Sequence, residues 1–205
     1  MVIGVDFDNT IVCYDELFHR LATERALIPA TLPRDKQSVR DYLRVQGQED
    51  DWTELQGWAY GPRIGAAQPF PGVLDFFRAC RQRGLSVYII SHKTRKPARG
   101  PQVDLHESAR EWLVVQGFHL HDVAGLPRDS VFFAETKQEK LERIAALGCT
   151  HFIDDLPEFL LDPRFPPDVV RVLFDPWDRQ AGQVPFHRAQ SWDDLQRHLL
   201  SGEPS

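Results

Sequence analysis

A chain of 205 residues with 42% apolar content can bury a substantial core, which excludes a disordered chain and most simply gives one domain with an insertion. The net charge of −6 argues against a nucleic-acid partner but leaves a small phosphorylated substrate open. Cys13, Cys80 and Cys149 are too scattered for a disulfide framework or a CxxC metal site; with no apolar stretch near the roughly 18 residues of a membrane span and no basic leader after Met1, a reduced, cytoplasmic protein without membrane contact is expected.

The first predicted element is a strand, Val2-Ile3-Gly4-Val5, which runs directly into Asp6-Phe7-Asp8-Asn9-Thr10. Residues 13–69 then carry three helical patterns: Leu17, Phe18, Leu21 and Ile28; Val39, Tyr42 and Leu43; Trp52, Leu55 and Ala59. Prolines and glycines separate them, and no strand-like run intervenes. A helix with Val73, Phe76, Phe77 and Cys80 at helical spacing lies between Pro71 and Gly84, and the β-rich run Leu85 to Ile90 ends at Ser91. Leu105, Ala109, Trp112 and Leu113 form the next helix, stopped by Gly117; Val131-Phe132-Phe133 is a third strand. The capping box Thr136 to Glu139 opens a helix through Leu141, Ile144 and Ala145 to Gly148. His151-Phe152-Ile153 leads a fourth strand into Asp154, Val169 to Phe174 is a fifth, and a last helix, Trp192 to Leu200, leaves a disordered tail. Strand and helix alternate, so the expected fold is α/β, a three-layer Rossmann-like parallel sheet made of 1–12 and 70–205, with a small helical cap, 13–69, inserted after the first strand.

Asp6 and Asp8 are two apart at a strand end and share a face. Two like charges about 4 Å apart cost about 4 kcal/mol at an effective dielectric of about 20, so something must offset the repulsion. A divalent cation does that, although Asp, Asn and Thr also form ordinary turns. The strand into Asp154-Asp155 repeats the arrangement, with Glu158 four residues after Asp154. Two such strands side by side gather acids at the carboxyl edge of one sheet, where open α/β sheets bind ligands. Hard oxygen ligands, few in number, suit Mg²⁺ better than zinc or calcium.

Taken in order, Asp6-Phe7-Asp8-Asn9-Thr10, Ser91, a lysine at 137 or 140, and Ile153-Asp154-Asp155 with Glu158 resemble the four motifs of the haloacid-dehalogenase-like (HAD) hydrolase superfamily, whose members are mostly Mg²⁺-dependent phosphatases. The match spans the chain apart from 13–69, which is placed like the helical cap of such enzymes. The resemblance implies Asp6 as nucleophile, Asp8 as acid and base, Ser91 and a lysine on the phosphoryl group, and Mg²⁺ held by Asp6, the Asp8 carbonyl, Asp154 and Asp155. The dehalogenases of the family lack the second acid, so Asp8 argues against dehalogenation. For the lysine, Lys140 lies 14 residues before Asp154, as in members with a short helix, whereas Lys137 sits beside the capping threonine, as in others; Lys140 is preferred.

The expected function is a Mg²⁺-dependent phosphomonoesterase acting on a small metabolite, nucleotide or phosphosugar through an aspartyl-phosphate. A polynucleotide-end phosphatase, a phosphotransferase and a non-catalytic binding protein are the rivals, and a kinase with a phosphate loop is disfavoured because no GxxxxGK[ST] segment exists. Thr10, Arg63, His92 and Lys93 are the candidate substrate contacts. Lys93, Arg95, Lys96 and Arg99 make a basic loop able to steer an anion or to remain merely solvated. Trp52, Trp58 and Tyr60 either stack on a substrate or form the core of the insertion.

Overall fold

The computed structural model of the chain describes residues 1–179 and 184–201. The chain opens with β1 (Val2–Val5) and β2 (Val12–Cys13), followed by three helices, α1 (Asp15–Glu24), α2 (Lys36–Val45) and α3 (Glu49–Tyr60). After β3 (Gln68–Pro69) come α4 (Val73–Gln82), β4 (Ser86–His92), α5 (Leu105–Val115) and β5 (Val131–Ala134). The last part contains α6 (Lys137–Ala146), β6 (His151–Asp154), α7 (Pro157–Leu160), β7 (Val170–Phe174), β8 (His187–Ala189) and α8 (Trp192–Leu200). Among the described residues no helix is long and apolar enough to cross a membrane.

Two compact units result, one of residues 1–11, 69–93 and 117–205, the other of 12–68 and 94–116. The first contains a six-stranded parallel sheet in the order β5-β4-β1-β6-β7-β8 with helices on both sides, so the α/β three-layer architecture is observed. Its inner strands β1, β4, β6 and β7 are short and largely apolar because both faces are covered. On one side α4 and α8 pack through Phe76 and Trp192, ring centroids 5.0 Å apart. The core that includes α6 and α7 contains Leu141, Ile144, Phe152, Phe159 and Phe165, all buried. Burial of each such side chain is worth about 1.5–3 kcal/mol. Gly4 in β1 is required by this packing: a Cβ there would lie 2.5 Å from the Phe152 ring of the neighbouring strand.

Strand order reverses at β1. From β1 the chain first fills the β4 and β5 side and then returns to lay β6, β7 and β8 on the other. The carboxyl end of β1 is therefore the topological switch point, the place where such sheets bind ligands. The predicted strands are present, and β8 is an addition: His187-Arg188-Ala189 is a three-residue edge strand with no apolar run to announce it. The tail expected after Leu200 falls on residues 202–205, outside the described residues.

The second unit is helical. Phe18 of α1 lies against Trp52 and Tyr60 of α3, with centroids at 4.9 and 5.7 Å, and Tyr14 closes on Tyr60 at 5.0 Å. Trp52 and Tyr60 are thus spent on the unit's own core; Trp58 is half-buried, its indole donating to Glu54 and its ring lying under Arg25. Asp35 and Asp104 cap α2 and α5 by accepting from Ser38 N at 2.9 Å and from His106 N at 2.9 Å. The segment 94–116, read in the sequence as part of the sheet domain, groups instead with 12–68. Two close contacts tie it there: the Trp112 indole donates to the Ala67 carbonyl at 3.0 Å, and Gly57 lies so near the Arg99 carbonyl that a Cβ would stand 2.0 Å from its oxygen.

Candidate active site

The backbone amide of Asp6 donates to the Ile153 carbonyl at 2.9 Å, so the β1–β6 ladder extends just far enough to set Asp6 beside the strand that ends in Asp154. One carboxylate oxygen each from Asp6, Asp154 and Asp155 can be chosen so that all lie within 4.8 Å of one another. Glu158 is exposed and is not in that group. β1 ends at Val5, Asp8 forms an isolated β-bridge, and the chain then turns back with Ile11 N donating to Phe7 O at 3.0 Å. Asn9 takes φ +60° in this turn. Asparagine is among the few non-glycine residues that tolerate that conformation, which gives the chain's single asparagine a structural reason.

Lys140 joins the acids. Its Nζ donates to Asp6 Oδ1 and to Asp154 Oδ2, each at 2.6 Å, and stands 4.2 Å from the centre of the Phe159 ring. Lys140, Asp6 and Asp154 are 2%, 5% and 0% exposed. Helix phase explains the choice of lysine: Thr136 caps α6 by accepting from Glu139 N at 3.1 Å, and one turn later Lys140 falls on the face that carries Leu141 and Ile144 into the core. Lys137 stands at the exposed first position of the helix, away from the acids.

Charge accounting follows from burial. Two buried carboxylates share one ammonium, leaving one negative charge over. Burial pushes Asp6 up to about 7, with Lys140 opposing and Asp154 and Asp8 adding to the rise. Burial also works against the Lys140 ammonium, but Asp154 and Asp6 outweigh it and hold its pKa above the ordinary lysine value. Such a cluster calls for a proton or a metal cation to complete it. The donors fit a hard divalent ion: all are carboxylate oxygens, and those that accept from Lys140 or, as Asp154 Oδ1 does, from Leu156 N at 2.9 Å keep a second lone pair.

Two buried hydroxyls lack protein partners. Ser91 Oγ and Thr10 Oγ1 are buried and make no hydrogen bond. An unsatisfied buried hydroxyl costs about 1–3 kcal/mol, so the Ser91 hydroxyl, at the carboxyl end of β4, is a donor a ligand could satisfy. Register sets Ser91 on β4 directly alongside the end of β1, since Val5 pairs with Ile89. Lys93 is buried as well and donates to both Asp8 oxygens, at 2.9 and 2.8 Å. His92 is exposed, with Nε2 3.2 Å from the Glu135 carbonyl oxygen.

The structure thus brings together Asp6, Asp154, Asp155 and Lys140, pairs Asp8 with Lys93, and leaves Lys137 outside. Arg63 belongs to the helical unit and pairs with Glu24 at 3.2 Å. The basic loop is largely committed: Lys93 to Asp8, Arg95 to Asp104 at 2.6 Å, Arg99 to Asp50 at 2.9 Å. Two features escaped the sequence reading, the Lys93–Asp8 pair and the Phe159 ring under Lys140. The first had a signal, because Lys93 is two residues beyond Ser91 and shares its face.

No protein-family model matches the chain, and no curated protein matches it significantly. Solved structures do. Protein Tyrosine Kinase A of Mycobacterium tuberculosis superposes with a TM-score of 0.64 at 16% identity over 97% of this chain and 97% of that one. A candidate HAD-hydrolase of Bacillus subtilis, YfnB, described as bound to magnesium, gives 0.56 at 15% identity over 97% and 98%. A HAD phosphatase from Thermococcus onnurineus gives 0.54 at 16% identity over 100% and 99%. The chain has the fold of the HAD-superfamily hydrolases and phosphatases, and the acid cluster lies at the switch point of that fold.

Proposed function

We propose that this protein is a Mg²⁺-dependent phosphomonoesterase acting on a small phosphorylated metabolite, nucleotide or phosphosugar through an aspartyl-phosphate on Asp6. The observation that carries the reading is the buried Asp6–Lys140–Asp154 cluster beside the partnerless Ser91 hydroxyl. In this reading an Asp6 oxygen attacks phosphorus, and the leaving oxygen takes a proton from Asp8. Asp8, now a carboxylate, takes a proton from the water that attacks the aspartyl-phosphate, and inorganic phosphate leaves. Ser91 Oγ donates to a phosphoryl oxygen, and Lys140 keeps the Asp6 carboxylate turned toward Asp154. Asp6, Asp154 and Asp155 would hold Mg²⁺, which when bound would neutralise the carboxylate charge and polarise phosphoryl oxygens.

Phosphate release from a panel of nucleotides, phosphosugars and small organic phosphates, with Mg²⁺ and with chelator, tests this directly. Wild type is expected to need Mg²⁺, and Asp6→Asn is expected to fold normally and release nothing. A folded, active Asp6→Asn protein would remove the nucleophile assignment. Because the same fold carries the name of a tyrosine kinase in one neighbour, the fold does not choose the acceptor. Adding a primary alcohol separates the alternatives: a phosphotransferase forms the alcohol's phosphate ester, and a hydrolase forms phosphate alone.

A further inference from the structure

We propose that Lys93 is a positioning residue for Asp8, fixing the carboxylate in the orientation from which a proton passes to the leaving oxygen; this rests on the phosphomonoesterase reading above. Asp8 forms an isolated β-bridge just before the turn through Asn9, which fixes its backbone but not its carboxylate, because the Cβ–Cγ torsion of an aspartate is intrinsically broad. Its orientation must come from a contact. The Lys93 ammonium supplies one by donating to Oδ1 at 2.9 Å and Oδ2 at 2.8 Å, which defines the plane of the carboxylate.

Lys93 is itself held at both ends. Its backbone amide donates to the Ala134 carbonyl at 2.8 Å, continuing the β4–β5 ladder by one bond, and its Nζ lies 5.4 Å from the centre of the Phe7 ring. Only 4% of the residue is exposed. An ammonium is costly to bury unless it is paired, so a lysine meant to attract substrate from solvent would not be enclosed this way. The Asp8 carboxylate is a partner that makes the burial tolerable, and with a proton on one oxygen the other still accepts from Nζ, so Lys93 restricts the rotation of Asp8 in both forms. In the first half-reaction the phosphorus–oxygen bond breaks, its electron pair stays on the ester oxygen, and the proton of Asp8 moves to that oxygen. A carboxyl group turned away from that oxygen loses this step first, while attack by Asp6 is untouched.

Leaving-group dependence reads this role. Aryl phosphates with acidic phenols depart without a proton, whereas alkyl phosphates need one. The test measures kcat/KM, which reports phosphoryl transfer to Asp6, for wild type and Lys93→Met with para-nitrophenyl phosphate and with the best alkyl phosphate of the panel. Since positioned general acids contribute about 100-fold or more, Lys93→Met should lose about 100-fold on the alkyl ester and less than about threefold on the aryl ester. Wild type without activity on any ester would sink the phosphomonoesterase reading itself. An active wild type with equal losses on both esters, or with no loss on either, would sink the positioning role alone.

A second comparison holds even where Lys93→Met folds poorly. Asp8→Asn removes the acid, and the double variant Asp8→Asn/Lys93→Met removes both charges together. If Lys93 acts through Asp8, the second change alters kcat/KM of Asp8→Asn for para-nitrophenyl phosphate, read from the burst of para-nitrophenol, by less than about twofold. A further loss on the alkyl ester as large as that in wild type would overturn the proposal.

Discussion

Replacing Lys140 with methionine should destabilise the metal-free protein by about 3–5 kcal/mol, the usual consequence of removing one partner from a buried ion pair. The side chain is nearly the same length, so packing against Phe152 and Phe159 is largely kept and the loss is electrostatic. What remains is two carboxylates, Asp6 and Asp154, both buried and both formerly bonded to Nζ at 2.6 Å. At about 2–4 °C per kcal/mol for a chain of this size, the midpoint in chelator should fall by roughly 6–20 °C. Without the ammonium, Asp6 rises further above its unfolded value of 3.8, so the penalty is small near pH 4 and grows as pH increases, because the unfolded state then releases a proton that the folded state retains. Mg²⁺ neutralises the same oxygens and should restore much of the loss. The assay is thermal unfolding of wild type and Lys140→Met at pH 5 and pH 8, with Mg²⁺ and with chelator. Equal midpoints within about 1 °C in chelator at pH 8 would refute the argument that Lys140 is what makes this carboxylate pair tolerable.

Two further predictions test the metal site and the helical unit. Because the Asp6 proton must leave before metal binds, Mg²⁺ affinity measured by calorimetry should strengthen as pH rises toward about 7 and then level off, and Asp154→Asn should weaken it at every pH; pH-independent affinity in wild type, or an unchanged titration in Asp154→Asn, would move the metal away from these residues. Gly57→Ala reverses a propensity rule: alanine is favoured over glycine by about 1 kcal/mol inside a helix, yet the Arg99 carbonyl oxygen would be 2.0 Å from the new Cβ, so the variant should unfold at lower temperature, and a stabilised variant would contradict the packing described.

The sequence by itself determined the parts whose partners are local or whose pattern repeats. Alternating strand and helix signals gave the parallel sheet, and apolar runs ending in Asp6 and Asp154 located its reactive edge. The Thr136 capping box marked the helix that carries the lysine. Lys137 and Lys140 share a helix face three residues apart, and in the sequence only the 14-residue spacing to Asp154 favoured Lys140. Three residues, about 4.5 Å of axis and about 60° short of a full turn, separate them, and only the phase of α6 against β6 turned Lys140 into the acids and left Lys137 at the exposed end. Distance in sequence hid the remaining pairings. Lys93 and Asp8 are 85 residues apart, so a basic loop was legible but its buried partner was not. Helix 105–115 showed its apolar face without showing which unit it would cover, since periodicity marks a face as buried but not the surface that buries it. Trp52 and Tyr60 posed the same ambiguity between a ligand platform and a core, and contacts with Phe18 resolved it. Residue type and spacing fix what chemistry a side chain can perform; the crossing of strands and helices decides which side chains meet, because those contacts join residues that no local pattern links.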